Sequence, residues 1–150
     1  MKILVDADAC PVKDEIYKVG WRYQVPMIIV SNSPIRVPEH ALISRIVVDD
    51  GFDAADNFIV DQVKPGAVVI TADILLADRC LKAGSAAVLG PSGKPFTDAS
   101  IGNAVAMRAI MEDLRAGMAA DRIGGPAPFS KADRSRFLSA LDEVMVRLRR

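Results

Sequence analysis

Cysteine and histidine are scarce in this sequence: Cys10, Cys80 and His40 are the whole supply among 150 residues. The two thiols show no C-x-x-C spacing and cannot form a zinc cluster unaided, and a single histidine argues against a His-rich zinc site. Both are expected as buried free thiols. Cys10 falls at an expected helix start, where a thiol pKa can drop, but no histidine lies near it in sequence to make a nucleophilic pair. Aromatic residues are few, and formal net charge is zero. Any preference for a charged partner must therefore come from how the charges are distributed. Long apolar runs are missing too, so no membrane-spanning helix is expected. The N-terminus shows no basic region leading into a signal-like apolar stretch, and the cytoplasm is the expected compartment.

What is present is a chain with enough apolar residues for a proper core, expected as one domain over residues 1–150. Its chemistry centres on Ile3-Leu4-Val5-Asp6-Ala7-Asp8. Three aliphatic residues in a row suit a strand buried on both faces of a parallel sheet. Carboxylates at the C-terminal end of such a strand sit where open α/β sheets bind ligands. Asp6 and Asp8 would repel each other there, and a divalent cation is the usual remedy. The plainer alternative makes Asp8 a helix cap and Asp6 a turn residue.

The remaining pattern alternates. A helix is expected over 12–24, with Pro11 in its first turn. Strands are expected at 25–30, 45–48, 67–70 and 86–89. Helices are expected at 52–63 and 74–82, the second ending at Gly84. This alternation predicts a parallel sheet of about five strands, ordered 3-2-1-4-5, with helices on both faces over residues 1–90. Residues 91–150 are expected to add a loop and two further helices, about 100–120 and one capped by Ser130 with Asp133 as its box partner. Gly124-Gly125-Pro126-Ala127-Pro128 reads as a stiff turn between them.

In that order the first and fourth strands are neighbours, so Asp6 and Asp73 would project into one crevice. Asp53 and Asp56, three apart on one helix, would close it from the side, and Asp78 is a further acidic candidate. Oxygen ligands without histidine suit Mg²⁺ or Mn²⁺, ions able to serve a phosphodiester cleavage. Each acid has a structural alternative: Asp53 and Asp73 as helix caps, Asp56 as a partner of the helix dipole, Asp78 as a solvated charge. For substrate phosphates the candidates are Ser31 and Asn32, in the turn after the second strand, Lys94 in its glycine loop, and Lys131 and Arg134 in the basic C-terminal segment.

Several stretches carry a resemblance: Val5-Asp6-Ala7-Asp8-Ala9-Cys10-Pro11-Val12-Lys13, Ser31-Asn32-Ser33, Gly51-Phe52-Asp53-Ala54-Ala55-Asp56, Thr71-Ala72-Asp73-Ile74-Leu75-Leu76-Ala77 and Gly125-Pro126-Ala127-Pro128-Phe129-Ser130. In these the chain resembles the bacterial YaiI/YqxD family, itself thought to be related to PIN-like nucleases. The resemblance implies a single PIN-like domain and a metal-dependent phosphodiesterase, with RNA as the expected partner. In PIN-like domains an Asp ends strand one, an acid lies on a middle helix and Thr-x-Asp ends strand four. Asp6, Asp53 or Asp56, and Thr71 with Asp73 fall on those places. PIN-like sites often carry Glu on the helix; here it is Asp, one methylene shorter.

Two other readings remain open on the sequence. Asp6-Ala7-Asp8 after an apolar strand also resembles the first motif of haloacid-dehalogenase-like phosphatases, with Asp6 as nucleophile and Asp8 as acid/base. The basic C-terminal helix could instead belong to a non-catalytic RNA-binding module.

Overall fold

The computed structural model describes residues 1–49, 54–116 and 129–149. Ile3, Leu4 and Val5 are fully buried in β1 (Lys2–Asp6). That burial makes β1 the central strand, since only a strand covered on both faces hides three consecutive aliphatics. It pairs in parallel with β2 (Met27–Ser31) on one side and β4 (Ala67–Ile70) on the other. β3 (Ile43–Val47) flanks β2, and β5 (Ala87–Leu89) flanks β4. The expected order 3-2-1-4-5 is present, extended by a sixth strand at the edge. That strand, β6 (Pro95–Phe96), runs antiparallel to β5 and is only two residues long. Its brevity and its proline left no alternation to read.

Alternate residues of each central strand feed two separate cores. Ile3, Val5, Met27, Ile29, Val68 and Ile70 pack on one face. α1 (Lys13–Tyr23) covers that face with Ile16 and Val19, and α5 (Lys131–Leu148) with Phe137, Leu141 and Met145. Leu4, Val30 and Val69 pack on the other. There α2 (Ala54–Gln62) contributes Ile59, α3 (Ile74–Lys82) Leu76 and Cys80, and α4 (Asp98–Ala116) Ile101. Each fully buried aliphatic side chain contributes about 1.5–3 kcal/mol. Helices therefore lie on both faces. Among the described residues, no helix is long and apolar enough to cross a membrane.

Local chemistry sets the ends of these elements. Ser130 and Asp133 form the expected capping box. After α3, the N–H of Gly84 bonds to Leu81 O and that of Ser85 to Cys80 O, a Schellman closure at a glycine with φ +97°. α4 starts two residues earlier than the sequence pattern indicates, because Thr97 and Ser100 exchange backbone-to-hydroxyl bonds around its first turn. Pro11 lies in the turn before α1 rather than inside it, and Val12 takes the N-cap position without a side-chain bond. Asp53 and the Gly124–Pro128 turn lie outside the described residues.

Candidate active site

β1 ends at Asp6, and its neighbour β4 ends at Ile70 with Val5 opposite Ile70. The next residues, Asp6 and Thr71, therefore come side by side between the two strands. Here the sheet order reverses, the place where open α/β sheets leave a crevice. Asp6 and Thr71 share the strand parity of Leu4 and Val69, so both side chains belong to the face covered by α2, α3 and α4.

Thr71 is 1% exposed. Its Oγ1 donates to Asp6 Oδ2 at 2.8 Å and accepts the backbone N–H of Asp73 at 2.9 Å. A single hydroxyl thus joins the two acidic positions that the sequence places in one crevice. Asp73 also caps α3: its Oδ1 accepts the N–H of Leu75 at 2.9 Å and of Leu76 at 3.3 Å. The structural alternative for Asp73 is therefore correct, and both of these capping bonds fall on one oxygen.

Burial raises the Asp6 carboxyl above its usual range; the Thr71 hydrogen bond works against this, and the charges of Asp73 and Asp8 add to it. Asp6, at the end of the central strand, thus feels the charges of both other acids. Asp56 stands in the first turn of α2 on the same face. Its charge and that of Asp6 both bear on the Cys80 thiol, which is pushed up to about 12, chiefly by burial, with Arg79 opposing. β1 and α2 thus each carry an acid on the side of the sheet that buries Cys80.

Asp8 does not cap α1. It sits exposed in a single 3-10 turn, Ala7–Ala9, where both of its oxygens accept the Asn32 N–H, at 3.1 and 3.0 Å. The turn after β2 is satisfied internally, since the buried Ser31 hydroxyl donates to Ser33 O at 2.6 Å. Those two donors of Ser31 and Asn32 therefore meet protein oxygens. Asp78 lies five residues along α3 from Asp73 and pairs with Lys82 at 2.9 Å, away from the strand ends.

The basic candidates separate in the same way. Arg134 reaches back from α5 to Pro11 O at 2.5 Å and Glu15 at 3.5 Å, with its guanidinium over the Phe129 ring. It clamps the segment following Asp8. Arg136 pairs with Asp133, and Arg149 bonds Tyr23 O and covers the Tyr23 ring. Much of the basic segment is thus spent within the fold. Lys131 is exposed at the start of α5, and Lys94 is exposed in the turn after β5. Both cysteines are buried and free. Burial raises the Cys10 thiol, opposite to the lowering that a helix start would give.

For a divalent ion the carboxylates to weigh are Asp6, partly desolvated by burial, and Asp73, joined to it through Thr71. Among the described residues no group of three or more His, Cys, Asp or Glu is gathered closely enough to hold a metal. An all-protein cage does not fit. An ion that keeps most of its waters and takes one or two carboxylates, as Mg²⁺ does, fits.

Sequence comparison adds the family. A model described as "Uncharacterized BCR, YaiI/YqxD family" matches residues 4–147. A UPF0178 protein of Sphingopyxis alaskensis is 65% identical over 148 residues, covering 99% of this chain and 95% of the relative. One from Rhodopseudomonas palustris strain TIE-1 is 54% identical over 149 residues, covering 99% and 92%. One from Jannaschia sp. is 52% identical over 147 residues, covering 98% and 94%. No solved structure matches the chain.

Proposed function

Starting from a chain that belongs to the YaiI/YqxD family, whose relatives carry names without a reaction, we propose a Mg²⁺- or Mn²⁺-dependent phosphodiesterase of PIN-like type acting on RNA. The observation that carries this reading is the Asp6–Thr71–Asp73 linkage at the reversal of strand order. Asp6 and Asp73 would hold the ion, and Asp56 in the first turn of α2 would act on it through bound water. When bound, the ion supplies positive charge to the phosphate oxygens as the transition state develops.

The protein's own groups do the rest. Thr71 fixes the Asp6 carboxylate in one orientation, leaving its other oxygen for the ion. Asp8, steadied by the Asn32 N–H, orients the attacking water and takes its proton. The water oxygen bonds to phosphorus, the P–O bond to the ribose breaks, and the leaving oxygen collects a proton from solvent. Lys94 and Lys131 contact flanking phosphates. Asp78, paired with Lys82, has no direct part.

The test is cleavage of end-labelled single-stranded RNA with Mn²⁺, comparing wild type with Asp6→Asn and Asp73→Asn. Loss of about 100-fold or more in both variants is the expected result for removing a charge from the reacting centre. Equal activity in wild type and Asp6→Asn sinks the reading. Phosphate transferred covalently to Asp6 would point to the phosphatase chemistry instead.

A further inference from the structure

Beside the acidic site lies a cavity of about 520 Å³, of which the proposed reaction uses only the Lys94 edge. Ala72, the residue between Thr71 and Asp73, forms part of its wall, so cavity and carboxylates share an edge. Lys94, Phe96, Ser100, Asn103 and Met107 line it as well. Ser100, Asn103 and Met107 recur at three and four residues along α4 and so present one helix face. Phe96 is held by the β5–β6 pairing and packs 3.6 Å from where a Cβ on Gly90 would lie. The result is a pocket of ligand size with apolar walls and a few polar groups. Among the described lining residues the cation is the exposed Lys94, in the turn after β5.

We propose that this cavity receives one nucleotide of the RNA substrate, its base between Phe96 and Met107 and its phosphate on Lys94. The assignment rests on the phosphodiesterase reading above, which puts the scissile phosphate at the neighbouring carboxylates. An aromatic ring and a thioether suit the faces of any base, and the Asn103 amide can meet its polar edge. Lys94 complements a phosphate where the carboxylates cannot. A purely apolar partner would leave Lys94 and Asn103 without a role. A bare anion would leave Phe96 and Met107 without one.

The experiment uses the full chain carrying ¹³C-methyl methionine. Adenosine 5′-monophosphate is titrated in EDTA, with inorganic phosphate as the control. Met107 is 55% exposed and lines the cavity, whereas Met27 and Met145 are buried in the opposite core and serve as internal references. The expected result is a saturable shift of the Met107 methyl with the nucleotide, absent with phosphate, and about tenfold weaker binding in Lys94→Gln, the loss typical of one charge-assisted hydrogen bond. Asn103→Trp, which fills the cavity from an exposed helix position, should abolish the shift and raise KM for RNA while kcat changes little. No shift at Met107, or an unchanged KM in Asn103→Trp, overturns the nucleotide subsite even if Asp6-dependent cleavage is seen. Nucleotide binding without any Asp6-dependent cleavage overturns the substrate assignment through its parent reading, a failure distinguishable because the titration needs no metal.

Discussion

The hydroxyl of Thr71 stands 2.8 Å from Asp6 Oδ2 and accepts the backbone N–H of Asp73, so one buried oxygen aligns groups on two strands. Thr71→Val keeps the shape and removes both bonds. It should destabilise the fold by about 1 kcal/mol, because a partly buried N–H is left without its acceptor. It should also slow RNA cleavage at least tenfold with KM nearly unchanged, while Thr71→Ser restores most of the rate. Urea denaturation and single-turnover kinetics read the two effects. A Val variant indistinguishable from wild type would remove Thr71 from the site.

Asp6 is a group that the fold tolerates at a cost. Its pKa in the folded protein lies above the ordinary 3.8, through burial first and then the charges of Asp73 and Asp8. A carboxyl raised on folding weakens the native state progressively as pH climbs from the unfolded pKa through the folded one. Asp6→Asn should therefore be more stable than wild type at pH 7 in EDTA, with a higher Tm. The gap should shrink as pH approaches 4. Adding Mn²⁺ should raise the Tm of wild type and leave that of Asp6→Asn nearly still.

Asp142 behaves in the opposite sense. It accepts from the Tyr23 hydroxyl at 2.8 Å and from Arg22 at 2.7 Å, and its pKa is lowered, first by the Tyr23 bond and then by Arg22. A carboxyl depressed on folding stabilises the native state above its unfolded pKa, and that contribution is lost as pH falls through the folded one. Asp142→Asn should cost no more than about 1 kcal/mol at neutral pH, since the group is partly solvated. The difference should vanish in strong acid, and cleavage of RNA should be unaffected.

Two glycines separate backbone strain from crowding. Gly84 and Gly93 both have positive φ, at +97° and +87°. A Cβ at Gly84 meets nothing within 4 Å, whereas one at Gly93 would lie 2.9 Å from the Arg136 carbonyl. Gly84→Ala should cost about 1–2 kcal/mol, the left-handed penalty alone. Gly93→Ala should cost more, because α5 must also retreat from the loop carrying Lys94. Equal losses in thermal melts would show that the loop yields freely.

The fold was legible where a single physical signal sufficed. Ala67–Ile70 and the helix from Ile74 to Lys82 stand where the apolar run and the Asp73 and Gly84 punctuation put them. Ser130 with Asp133 was equally plain. The paired edge strand at Pro95–Phe96 was not, since two residues have no period. The site was legible as a set of acids at strand ends, but not in its connections. The bond from Asn32 to Asp8 depends on how two loops approach, and Arg134, read as a phosphate contact, turns inward because Pro11 O lies within its reach. Neither relation leaves a trace in local sequence.

The Arg134 clamp on Pro11 also has a temporal side. Translation runs from the N- to the C-terminal side, so the strand bearing Asp6 is made well before the clamp, with Arg134 following Pro11 by 123 residues. A nascent chain arrested before α5 would expose the Phe137 and Leu141 side of the sheet and leave the Pro11 carbonyl to water. Such a fragment would carry most of the acids yet lack the arrangement around them.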